Sequence, residues 1–177
     1  MDLLLDIFNY ALTAILIGIC GAWIFLLKSM IDSFRLTPYL DKFENTSKIN
    51  PKVSIILPAR NEEEFIGKCL DSLIKQDYKN YEIIVIDDSS EDSTEKIISE
   101  YAKKYPNIIL VSARPKPDGW MGKNWACMEG YGEATGELLL FTDADTKHAE
   151  NVITLAVSHL NSFDLDALSA IPKMVTL

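Results

Sequence analysis

From residue 53 onward, short apolar runs alternate with segments of helical spacing, and this alternation limits the chain to few folds. Strand-like runs occupy 53–57, 81–86, 107–111 and 137–141, and 167–171 is expected to form a fifth. The first run is expected to stop at Pro58. Helical spacing fills the gaps at 62–75, 92–104, 122–135 and 148–161; in the first, Phe65, Ile66, Cys69, Leu70, Leu73 and Ile74 share a face. Strand alternating with helix at this spacing predicts an α/β domain, a mostly parallel sheet with helices on both faces. Continuously apolar strands such as Tyr81-Glu-Ile-Ile-Val-Ile suit a sheet buried on both sides. In such sheets ligands sit beyond the carboxyl ends of the strands, so the loops after Leu57, Ile86, Val111 and Phe141 are the ones to inspect.

The first 52 residues have a different character. Residues 7–27 carry no charge, and at about 1.5 Å per residue they reach across a hydrocarbon core of about 30 Å. A cleaved signal peptide has a basic start and a shorter apolar core. Here the start is acidic (Asp2, Asp6) and the far flank is basic (Lys28, Arg35), which predicts an uncleaved single-pass membrane helix. The excess of basic residues on that flank places the following domain in the cytoplasm. Residues 28–52 form a juxtamembrane connector with two open readings, an amphipathic helix on the membrane surface or a linker interrupted at Pro38. The cysteines, Cys20, Cys69 and Cys127, show neither zinc spacing nor a disulfide framework. A net charge of −9 argues against a nucleic-acid partner.

Polar residues gather where the strands end. Pro58-Ala-Arg-Asn-Glu-Glu follows the first strand, Asp87-Asp-Ser-Ser-Glu-Asp-Ser-Thr the second, and Thr142-Asp-Ala-Asp the fourth. Taken singly, Asn61, Ser90, Asp92, Ser93, Asp145 and Thr146 are candidate helix caps. Taken together, acids on one rim of one sheet need a cation or donor groups, and Asp143 and Asp145, one residue apart, suggest a divalent ion with oxygen ligands. Gly-x-Gly-x-x-Gly, the P-loop pattern and Gly-x-Ser-x-Gly are all absent from the sequence.

Four segments in order, Val53-Ser-Ile-Ile-Leu-Pro-Ala-Arg-Asn-Glu, Ser72-Leu-Ile-Lys-Gln-Asp-Tyr, Tyr81-Glu-Ile-Ile-Val-Ile-Asp-Asp-Ser-Ser-Glu-Asp-Ser-Thr and Asp143-Ala-Asp, resemble family 2 glycosyltransferases with the GT-A, Rossmann-like fold. Gly119-Trp-Met-Gly-Lys-Asn-Trp-Ala, with the anchor ahead of it, is similar to members that glycosylate membrane lipids, including carotenoid and hopanoid types. The resemblance implies a nucleoside-diphosphate sugar as donor, with a UDP-sugar favoured, and a lipid or other membrane-proximal acceptor. It implies that Ala59, Arg60, Asn61 and Glu62 border the nucleotide, and that within Asp87-Asp88 the second carboxylate meets the base or ribose. Asp143 and Asp145 match the DxD motif. Asp145 would bind Mg²⁺ or Mn²⁺ most directly, with Asp143 assisting at metal, ribose or sugar.

Several residues keep two readings. Lys123 either adds a point charge to the diphosphate or is an exposed lysine at a helix start. His148 either approaches the metal or phosphate or is a solvated first-turn residue. Trp120 and Trp125 line the acceptor side or join the core, and Cys127 reads as a small core residue.

Inversion at the sugar carbon requires a base for the acceptor hydroxyl. After Asp145 the only acids are Glu150, Asp164 and Asp166, and the last two stand at the amino end of the expected fifth strand, on the wrong rim. No Gln-x-x-Arg-Trp motif follows. Residues 53–177 are therefore expected to be the donor-binding portion of such a domain, incomplete at its C-terminus. A sugar-nucleotide-binding module without turnover is the alternative. A nucleotidyltransferase would need a basic glycine-rich loop after the first strand, which is absent.

Overall fold

A computed structural model describes residues 2–36, 40 and 49–170. The chain divides into two compact units, 1–42 and 43–177. In the first, helix α1 (Asp2–Leu36) has no buried residue along Leu3–Ser33 and is long and apolar enough to cross a membrane. It is longer than the span expected at 7–27: residues 28–36 of the connector continue the helix, and most of the remaining connector lies outside the described residues.

The second unit holds a four-stranded parallel sheet of order β3-β2-β1-β4, formed by β1 (Val53–Ala59), β2 (Tyr81–Asp87), β3 (Ile108–Ser112) and β4 (Leu138–Phe141). Helices α2 (Ile66–Leu73), α3 (Thr94–Lys104), α4 (Gly122–Glu133) and α5 (Val152–Ser162) connect and follow the strands. The chain steps outward from β1 to β2 and β3, then returns to place β4 on the other side of β1. That reversal opens a crevice at the carboxyl ends of β1 and β4.

Alternation along the strands sorts the core into two layers. Ile55, Leu57, Ile83 and Val85 join Ile66, Leu70, Leu73, Ile98, Ile153 and Val157 from α2, α3 and α5. Ile56, Ile84 and Ile86 face Ala126 of α4. Gly130 makes this second layer possible, since a Cβ there would stand 2.5 Å from Ile86 Cδ1 and 2.8 Å from Ile56 Cγ2. The spacing Gly122, Ala126, Gly130 puts a small residue on each successive turn of the contacting face.

Three expectations are corrected. The first strand runs through Pro58 to Ala59. Thr142 donates to the Ile56 carbonyl and Asp88 to that of Ala59, so the backbone of even-numbered residues points toward β4, which has already ended at Phe141 when Pro58 is reached. The missing N–H therefore breaks no ladder bond. Burial on both sides holds for β1 and β2 only. On the edge strand β4, Leu139 and Phe141 remain 39% and 52% exposed, because they share the face of Ile56, where α4 covers the centre of the sheet and not its margin. Residues 167–170 form no strand; they lie beyond the end of α5, mostly exposed and unpaired with β4, and Ile171 falls outside the described residues.

Candidate functional site

A cavity of about 380 Å³ lies at the β1/β4 crevice. Pro58, Ala59, Arg60 and Glu62 reach it from the loop after β1, Asp88 from the end of β2, and Gly122, Lys123 and Ala126 from the first turns of α4. Asp143, Ala144 and Asp145 reach it from the loop after β4. The fold thus gathers segments up to 87 positions apart because all three strands end on the same rim.

The loops after β1 and β2 are tied to each other. Ser90 Oγ accepts from the Asn61 N–H (3.0 Å), and Asn61 Oδ1 accepts from the Glu91 N–H (2.8 Å). The Glu62 N–H donates to Thr94 Oγ1 (2.8 Å), while Asp92 takes the N–H groups of Glu63 and Thr94. Asn61 sits at φ 56°, a left-handed conformation that asparagine tolerates. It therefore links two loops and caps no helix; α2 begins only at Ile66.

Of the residues singled out from the sequence, Ala59, Arg60, Glu62, Asp88, Lys123, Asp143 and Asp145 line the cavity. Asn61 and Asp87 do not. Asp87 is buried on the α2/α3 side, paired in register with Ala59, and its Oδ2 accepts from the Ser90 N–H (3.2 Å), so it supports the loop that presents Asp88. The chain's own sequence hinted at Gly122 and Ala126 only through the small-residue spacing of α4. A Cβ on Gly122 would come within 3.2 Å of Asp88 Oδ2.

Charge in the cavity is unbalanced. Arg60 stands 3.7 Å from Asp88, and Lys123 Nζ lies 2.6 Å from Asp143 Oδ1. No hydrogen bond or ion pair holds the Asp145 carboxylate among the described residues, and Asp145 caps no helix, because α5 starts at Val152. Burial pushes the Glu62 carboxyl pKa up, and the nearby charges of Asp145, Asp92 and Asp143 push it the same way. The pair with Asp143 raises the Lys123 pKa. Cys69 is buried beneath this loop, its thiol 3.7 Å from the Asp143 carbonyl and pushed by burial up to about 12.

The donor set suits a hard divalent ion. Asp143 and Asp145 offer carboxylate oxygens to an open cavity, and no three His, Cys, Asp or Glu side chains among the described residues stand close enough to hold a metal alone. Mg²⁺-type ions commonly take one or two carboxylates and complete their shell with substrate phosphates and water.

Neighbouring residues have structural roles. His148 faces inward, with Nε2 2.9 Å from Thr142 Oγ1 and its N–H donating to Ser72 Oγ (3.0 Å). Burial lowers its pKa, and it neither lines the cavity nor lies in the first turn of α5. Trp125 is half-buried; its Nε1 donates to the Arg114 carbonyl (2.8 Å), and its ring meets Trp120 edge-on at 5.4 Å. Arg114 in turn pairs with both oxygens of Glu129 at 2.7 Å. This cluster braces the loop between β3 and α4. Cys127 is half-buried on α4, outside the core proper.

Comparison with known proteins bears on the fold and the family. A dolichyl-phosphate beta-glucosyltransferase of Trichomonas vaginalis is 36% identical over 101 residues, covering 52% of this chain and 30% of that protein. The mannosyltransferase PcManGT from Pyrobaculum calidifontis, solved with GDP-Man and Mn²⁺, superposes with a TM-score of 0.61 at 27% identity, covering 77% of this chain and 39% of the other. TarS 1–349 of S. aureus, solved with UDP-GlcNAc, gives 0.53 at 31% identity, covering 63% and 31%. The chain spans well under half the length of curated relatives such as these, from 13% for GlyA of Streptococcus pneumoniae to 38% for AglE of Haloferax volcanii. The fold is that of GT-A glycosyltransferases, and the model of glycosyl transferase family 2 matches residues 54–173. With most of its length matched by that model, the chain belongs to glycosyl transferase family 2.

Proposed function

We propose that this protein binds a nucleoside-diphosphate sugar, with a UDP-sugar favoured, in the β1/β4 cavity and transfers the sugar with inversion to a membrane-proximal acceptor. The observation that carries this reading is the convergence of Arg60, Glu62, Asp88, Lys123, Asp143 and Asp145 on one cavity at the switch point of the sheet. Its volume of about 380 Å³ falls within the range of about 300–1,000 Å³ usual for small-molecule sites.

Asp88 accepts hydroxyl or ring N–H donors from the nucleoside, as a carboxylate does well. Asp145 and Asp143 would hold Mg²⁺ or Mn²⁺, and when bound the ion supplies Lewis-acid stabilisation of charge on the departing diphosphate. Lys123, beside Asp143, adds a point charge for the diphosphate. No cavity residue is assigned as the acceptor base. A lipid acceptor is supported by α1, whose exposed apolar length would keep the domain beside a bilayer, and by the dolichyl-phosphate acceptor named for one relative. In this reading α1 is a single-pass anchor and the domain is cytoplasmic.

Calorimetric titration of the full chain in detergent with UDP-glucose, UDP-GlcNAc and GDP-mannose, with Mn²⁺ or with EDTA, tests the site. Binding of one donor that requires Mn²⁺ and weakens at least about 30-fold in Asp145→Ala is expected, on the scale of a charged hydrogen bond or metal contact. Binding indifferent to both changes would overturn the metal reading. Sugar transfer to a polyprenyl phosphate by the full chain separates an enzyme from a binding module, and alkaline extraction of membranes tests the anchor.

A further inference from the structure

Lys123 stands in an unusual place. It occupies the first turn of α4, where the helix dipole disfavours a cation, so its ammonium is well placed only beside an anion. The anion it meets is Asp143, at 2.6 Å, one of the two carboxylates offered to a metal. Both side chains remain open to solvent, 63% for Lys123 and 55% for Asp143, and such a pair costs little to break. The cavity lining carries two cations, Arg60 and Lys123, against four carboxylates, Glu62, Asp88, Asp143 and Asp145, an excess of two negative charges. A divalent ion would cancel that excess, but it would have to compete with Lys123 for Asp143.

We propose that Lys123 is an exchangeable counter-ion: it holds Asp143 while the site is empty and passes to the donor's diphosphate when a divalent ion takes Asp143. This inference rests on the metal-assisted sugar-nucleotide reading of the same cavity. Metal alone then binds against the Lys123–Asp143 pair. Diphosphate supplies the released ammonium with a new partner, so metal and donor each tighten the other by the same factor. Lys123 is in this sense a positioning residue that makes the two ligands bind together.

The test measures Mn²⁺ binding without nucleotide, read from the free-ion electron-spin resonance signal, and UDP binding at saturating Mn²⁺, read by calorimetry. The proteins are the full chain, Lys123→Met, Lys123→Arg and Asp145→Ala. In Lys123→Met, Mn²⁺ alone should bind about two- to fivefold tighter, the scale of an exposed ion pair. UDP should bind about tenfold weaker. Lys123→Arg should stay near the parent in both. These opposite signs are what a folding defect would not produce, since local damage weakens both ligands. Unchanged or weaker Mn²⁺ binding in Lys123→Met, or unchanged UDP binding, overturns the exchange. If Asp145→Ala also leaves both ligands unaffected, the underlying metal reading fails; if it abolishes binding, the exchange alone is rejected.

Discussion

The two rims of the sheet each carry a carboxylate cluster, and they are built in opposite ways. At the amino rim, Glu82 is only 7% exposed and accepts from Lys52 Nζ (2.6 Å), Ser54 Oγ (2.6 Å), and the N–H and hydroxyl of Thr135 (2.8 and 2.9 Å). Burial alone would raise its pKa, but these donors outweigh it and bring the value down to about 2. At the carboxyl rim, four carboxylates share two cations, and Asp145 has no such partner among the described residues. A carboxylate surrounded by donors holds the fold together. Carboxylates left short of donors carry negative charge that the protein itself does not balance.

Exchanging stability for binding between the rims is the direct way to break this comparison. Glu82→Ala should have the largest effect, about 3 kcal/mol of lost stability in chemical denaturation, because it strands the donors of Ser54 and Thr135. An effect below about 1 kcal/mol would mean that the cluster is not structural. The same rim predicts acid sensitivity. The folded pKa of Glu82 lies below its ordinary 4.5, so its contribution is complete above about pH 4.5 and is lost as pH falls toward 2. Melting curves across that interval should fall further for the parent than for Glu82→Gln.

Next in size is Gly136→Ala, expected to cost about 1–3 kcal/mol by overpacking, since a Cβ there would stand 2.7 Å from the Lys52 carbonyl oxygen and the Ser54 N and Oγ. Trp125→Phe removes the hydrogen bond to Arg114 and should cost about 1 kcal/mol in denaturant titrations. The smallest stability effect belongs to the other rim. Asp145→Asn should shift stability by no more than about 0.5 kcal/mol while abolishing Mn²⁺-dependent UDP binding. A large loss of stability there would erase the contrast between the rims.

Much of this was legible in the chain. Continuous apolar runs marked β1 and β2, and the acidic pair after β4 marked the rim that would carry a site. The structure changed the account where local pattern and tertiary context diverge. Pro58 lies inside a strand because its missing N–H faces the side where β4 has ended. Asn61 and Asp87 tie down the loops after β1 and β2, and His148 turns inward onto Thr142 and Ser72. The small residues of α4 proved to be contact residues: Gly130 admits Ile56 and Ile86, and Gly122 lies beside Asp88.

Residue order by itself determined the alternation of four strands with helices, and that the polar loops share one rim, because periodicity and parallel winding are properties of the chain. Tertiary structure alone decided which carboxylates are already satisfied. Glu82 opens one apolar run and Asp145 follows another. Their difference comes from distant donors, Lys52, Ser54 and Thr135 around one and the single cation Lys123 beside the other's neighbour Asp143, brought near only by the order of the strands.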